Sequence, residues 1–249
     1  MSSAIDNTPT RCEDNHGDRR FRVSEIGKLI DRLAADALAA PLKAAGFHKA
    51  GRTWRRRAGD AIQVVNVQAS KWNAGADGQL LLNAGVYFPS LAVRLALFPP
   101  TEAPAEYDCQ VRTRPRLPGW AGRSWLKVRV PGVVTPDPAA GGMLGNVYAW
   151  LDRRANQRAV RINEKAVREL REALEQHGLP WLERMADLRV ARDYLVARGA
   201  RWWAVAASLE LGDRDQAERL FARVLAEASG GTDELLSWGR ANGLAPAEK

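Results

Sequence analysis

The sequence predicts an α+β protein: an N-terminal helix packed on an antiparallel or mixed sheet, followed by a helical C-terminal region. Three observations carry this reading. Apolar residues recur every third or fourth position between 24 and 45, and every second position between 52 and 88. Beyond about position 150 the helical spacing returns and persists to the end.

Taken in order, Ser24 is placed to cap a helix running to Ala45, with Glu25 in the first turn, where the helix dipole favours a negative charge. Ile26, Leu29, Ile30, Leu33, Ala37 and Leu38 form its apolar stripe. Pro41 is expected to kink or end it, Gly46 to stop it, and Phe47 to lead the chain into the sheet. Three antiparallel strands follow, Thr53 to Arg57, Ala61 to Ser70 and Gln79 to Phe88, joined by Ala58-Gly59-Asp60 and by the loop from Asn73 to Gly78. Val65, Val67 and Ala69 share one face with Leu80, Leu82, Ala84, Val86 and Phe88. Asn66, Gln68 and Ser70 share the other with Asn83, Gly85 and Tyr87, so one face reads as apolar and the other as polar.

Pro89 to Pro104 reads as a connection holding a short helix near Leu91 to Leu97. Tyr107 to Arg114 and Arg123 to Val130 alternate as half-buried strands with basic outer faces, and Pro131 to Gly145 is a loop. Asn163 is expected to cap a helix ending at Gly178, with Pro180 opening a helix to Arg198. Helices at Arg201 to Leu211, Asp213 to Ala228 and Asp233 to Ala241 complete the chain. Leu211-Gly212-Asp213 with Ala217, Phe221 and Leu225 is like half of a tetratricopeptide hairpin; a stable array needs about three repeats, so a single packed helix pair is expected. The resulting division is a disordered tail over 1–22, a helix and basic sheet over 23–150, and a helical region over 151–245.

Several short segments, in this order, carry a family resemblance. Leu42-Lys43-Ala44-Ala45-Gly46-Phe47, Thr53-Trp54, Val67-Gln68-Ala69-Ser70-Lys71 and Asn83-Ala84-Gly85-Val86-Tyr87 resemble the bacterial family catalogued as domain of unknown function 4304. Asp108 to Arg112 and Gly178-Leu179-Pro180-Trp181-Leu182 fit the same pattern, which extends over roughly Ser24 to Leu188. The resemblance implies an α+β fold and brings no catalytic residues with it.

The net charge is +8, and residues 49–130 account for all of it, with thirteen basic against five acidic side chains. A basic field of this kind attracts nucleic acid, headgroups or an acidic protein. No run of about 18 apolar residues exists to cross a membrane, and the start of the chain has no signal-peptide core. Cys12 and Cys109 make no disulfide framework. Together these predict a cytoplasmic protein that does not enter a membrane.

The chemistry-bearing residues are few. His16, His48 and His177 have no ligand partner at metal spacing, so neither a metal nor a cofactor is expected. Cys109 has Arg112 nearby, which would favour a thiolate, but its strand register points it inward as a small hydrophobe. There is no nucleophile elbow, phosphate loop or dinucleotide fingerprint, and no catalytic residue is assigned. The informative feature is the polar face itself. Asn66, Gln68, Ser70, Asn83 and Tyr87 can both donate and accept hydrogen bonds, with Lys71, Trp72 and Asn73 at the rim. The plain alternative is a solvated sheet face.

Around that face lie Arg52 and Arg55 to Arg57 beside Trp54, then Arg112, Arg114 and Arg116 before Trp120, and Arg123, Lys127 and Arg129 around Trp125. Arginine beside aromatic side chains suits phosphates and unpaired bases. Against this, thirty of the 37 basic residues are Arg and many sit on charge-balanced helices. The sequence therefore predicts a non-enzymatic macromolecule-binding module whose partner, an acidic protein or nucleic acid, meets Asn66, Gln68, Ser70, Asn83, Tyr87, Arg55, Arg57, Arg112, Arg114, Lys127 and Arg129. Two alternatives are an RNA or single-stranded nucleic-acid binder and a toxin-neutralising immunity-like protein; the basic surface argues against mimicry of a nuclease's substrate.

Overall fold

The computed structural model describes residues 25–73, 75–96, 99–118, 125–131, 143–228, 230 and 232–244. Ser24, Cys12, His16, the 1–22 segment, Trp120, Arg123 and most of the Pro131 to Gly145 loop lie outside them.

Helix α1 (Glu25–Ala44) buries Ile26, Leu29, Ile30, Leu33, Ala34, Ala37, Leu38 and Leu42, the stripe its spacing predicts. Each fully buried Leu or Ile contributes about 1.5–3 kcal/mol relative to exposure, which is what fixes the helix on the sheet. Pro41 does not end the helix. Proline has no N–H for the carbonyl four residues back, so Ala37 O needs another donor. Arg171 supplies it, with Nε 3.2 Å from Ala37 O and a second nitrogen 2.7 Å from Asp36 O. The helix continues because a distant guanidinium replaces the missing amide.

The sheet is antiparallel throughout. β1 (His48–Ala50), β2 (Thr53–Ala58), β3 (Ala61–Ala69) and β4 (Asp77–Tyr87) lie side by side. β5 (Val111–Thr113) and β6 (Leu126–Arg129) both pair with the far edge of β4, at opposite ends. β1 is too short to show alternation, and the sequence reading passes over it. The β2–β3 turn closes at Ala58↔Ala61 with Gly59 at φ +60°, the pattern of a type II′ hairpin. The predicted strand from Tyr107 is shortened, because Glu106–Asp108 form a 3₁₀ turn in which Asp108 accepts from the Ala105 amide at 2.7 Å.

After α2 (Pro89–Leu95), the C-terminal region begins with the 31-residue α3 (Met143–Ala173). Gly178 does not terminate it: residues 174–178 form a π turn that runs directly into α4 (Leu179–Met185). Pro180 has no N–H for the carbonyl of Gln176, and the Leu179 amide reaches back to Leu174 O. α4 and α5 (Leu188–Ala197) are separate, divided where Asp187 caps α5 by accepting from the Arg189 and Val190 amides. α6 (Arg201–Glu210), α7 (Arg214–Glu227) and α8 (Thr232–Ala241) follow, with the rings of Trp202, Phe221 and Trp238 clustered between them.

One main core joins α1, one face of the sheet and the C-terminal helices. Within it Gln63 is fully buried, holding Arg56 at 2.9 and 2.6 Å and donating to Leu182 O at 2.9 Å. Arg56 also donates to Ala45 O at 2.7 Å and pairs with Glu183.

Candidate functional site

Strand register decides which predicted site residues meet. Trp54 faces Val65, which faces Ala84, and all three are buried on the α1 side. Alternation then puts Arg55, Arg57, Asn66, Gln68, Asn83, Tyr87, Arg112, Lys127 and Arg129 together on the second face. Asn66 lies directly opposite Asn83, and its amide donates to Thr53 Oγ1 at 2.9 Å. The Asn83 amide donates to Gln68 Oε1 at 3.2 Å. Arg56, by contrast, points into the core side, and Arg52 reaches α1 to pair with Asp31.

The second face is not polar from end to end. Ile62, Val64 and Tyr87 form an apolar cluster with Ala92 and Cys109. Residues 99–110 lie across this half, held by contacts that include Arg55 Nε to Pro104 O at 2.6 Å, Arg57 to Glu102 at 2.8 Å, the Thr101 amide to Tyr87 Oη at 3.3 Å, and Cys109 against Gly85. A Cβ on Gly85 would come within 2.8 Å of Cys109 Cβ and Sγ, so this close approach needs glycine. Tyr87 and Asn83 are buried, while Gln68, Arg57, Arg112 and Lys127 are exposed. Sequence alternation places side chains on a face; it does not show what a later segment lays over them.

Cys109 is buried among these groups, its Sγ 3.5 Å from Ala105 O. Burial pushes the thiol's pKa far up, Glu106 and Asp108 add to the rise, and Arg112 and Arg55 oppose it weakly. The thiol is therefore protonated, the state of an inert core cysteine. Glu106 is also raised, first by burial, against the pull of Arg112 and Arg114. Among the described residues no three His, Cys, Asp or Glu side chains gather to hold a metal ion.

The open half of the face ends in a cleft of about 550 Å³ between the β3–β4 loop, β6 and α3. Ser70, Lys127 and Arg129 line it, joined by Trp72 and Arg158. Trp72 is 81% exposed, with the Lys71 ammonium 4.9 Å from its ring. Arg129 lies 3.6 Å from Asp77, whereas Lys127 and Arg158 make no ion pair among the described residues. Arg158 was not legible beforehand: one arginine on a charged helix carries no signal. Arg114 leaves the sheet after β5 and lines a different cavity with Arg116 and Arg184.

Carboxamides finish the strands in three places. Asn163 lies inside α3, not at its start, and is buried; its Oδ1 accepts the Arg129 amide at 3.0 Å and its Nδ2 donates to Arg129 O at 2.8 Å. Gln110 holds Phe88 in the same two-way manner at 2.8 and 3.4 Å. Asn73 holds Gln79 at 2.8 and 3.0 Å. A carboxamide presents the donor and acceptor that a neighbouring strand would, so each satisfies backbone groups at the limit of a ladder.

Comparison with known proteins adds one finding. A family model described as "Domain of unknown function (DUF4304)" matches residues 38–184, more than half of the chain, covering the sheet and the junction of α3 with α4. No curated protein and no solved structure matches.

Proposed function

We propose, from the premise that the chain belongs to the DUF4304 family, that it is a non-enzymatic binding module engaging an acidic macromolecule through the basic border of its sheet. One observation carries this reading. The strand register turns Lys127 and Arg129 to the same face as Asn66 and Gln68, and that face opens into the cleft where Trp72 stands exposed. Lys127 and Arg158, which pair with no carboxylate among the described residues, lie beside uncharged hydrogen-bonding side chains, and such cations attract and then orient an acidic surface. A cytoplasmic setting suits such a role, and no described helix is long and apolar enough to cross a membrane.

The test is affinity capture with the full chain and with Lys127→Glu/Arg158→Glu. Loss of the captured partner from the double variant is expected, and an identical set of partners overturns the reading.

Single-stranded nucleic acid as the partner is favoured by the exposed indole of Trp72 between basic side chains, since a base can stack there while its phosphates are neutralised. A labelled single-stranded oligonucleotide should then bind at ~50 mM salt, weakening by about 0.7 log units per phosphate contact per log unit of salt. Absence of binding at micromolar protein leaves the acidic-protein reading.

A further inference from the structure

We propose that the cavity of about 340 Å³ where the chain leaving β5 meets the π turn binds the phosphoryl group of a small phosphate monoester. Nothing in the preceding reading depends on this site. Arg114 and Arg116 approach from the β5 side, and Arg184 from α4. His177 and Trp181 add to the wall, and no carboxylate among the described residues lines it. None of the three arginines forms an ion pair among the described residues, while the adjacent Glu183 is committed to Arg56.

Three guanidiniums around one small volume repel one another, and a surface with no use for them would place carboxylates between. An arginine fork presents paired N–H donors at the spacing of phosphate oxygens, and three forks match a dianion with three free oxygens better than a single carboxylate. A second observation points the same way. Among the described residues the buried His177 Nε2 has no hydrogen-bond partner, although buried polar atoms are nearly always paired. The π turn puts this imidazole on the cavity wall, and such turns recur at functional sites. Trp181 and Pro115 supply apolar surface for the organic part of a monoester, and the volume suits a small ligand.

The experiment is calorimetric titration of the full chain with phenyl phosphate and with inorganic phosphate at ~150 mM salt, where loose surface attraction is screened. Saturable one-site binding of phenyl phosphate, tighter than that of inorganic phosphate, is expected. Arg116→Gln and Arg184→Gln should each weaken it about tenfold or more, as removal of a charged hydrogen-bond donor does. Lys127→Glu should leave it unchanged. Melting curves of the unliganded variants establish that they are folded, and phosphorus NMR line broadening on the wild-type chain gives a readout that needs no variant. Failure of phenyl phosphate to saturate the wild type, or wild-type affinity in both arginine variants, overturns the proposal. Binding of a single-stranded oligonucleotide there without binding of phenyl phosphate also overturns it, in favour of a polymer backbone.

Discussion

The two faces of the sheet are built from the same strands by opposite means. On the α1 side, Trp54, Val65, Val67, Leu80, Leu82, Ala84 and Val86 join a continuous core with α1 and the C-terminal helices. On the other side, Ile62, Val64 and Tyr87 are covered by an irregular segment held by a few polar contacts, and Leu81 is buried farther along β4. The first face owes its stability to buried area; the second depends on a close fit at Gly85 and leaves its far half for other uses. The proposed binding face is thereby kept apart from the main core within one layer.

That contrast can be broken by substitution. Trp54→Ala should have the largest effect, about 3–5 kcal/mol, because the indole is 2% exposed and its removal opens a void in the main core. A urea midpoint near that of the wild type would contradict it. Gly85→Ala comes next: a methyl group 2.8 Å from Cys109 must push residues 99–110 away, at about 1–3 kcal/mol. In a Cys12→Ser background, iodoacetamide should then label Cys109 faster than in the parent chain, and unchanged labelling would show that the cover absorbs the methyl.

Glu106→Gln should have the smallest effect, and in the opposite direction. Its folded pKa is raised above the unfolded value, chiefly by burial, so its charge opposes folding at neutral pH and ceases to do so as pH falls through the folded pKa. The variant should melt higher than the wild type at neutral pH, and the two curves should converge on acidification. Parallel curves would refute this.

Alternation and helical spacing were enough to find α1, β2 to β4 and α6 to α8, because periodicity reports which side of an element is buried. They also placed Arg55, Arg57, Arg112, Lys127 and Arg129 on one face, since parity in an antiparallel ladder follows from the strands alone, but not Arg114, which lies beyond β5. What escaped had no period. β1 is three residues long, and Pro41 stays helical only because Arg171, 130 residues on, serves Ala37. Asn163 had the chemistry of a cap and does the work of a strand neighbour. The cavity of Arg114, Arg116 and Arg184 joins segments about seventy residues apart, and no local pattern connects them.

The three carboxamides at the strand limits also have a chemical future. Hydrolysis of an Asn or Gln side chain gives a carboxylate, in which the nitrogen that donates to a main-chain oxygen becomes a second acceptor. At Asn73, Gln110 and Asn163 this would set oxygen against oxygen while changing almost no volume. Spontaneous deamidation at any of them would therefore loosen the sheet from its margins inward, with a molecule that ages at its borders before its centre.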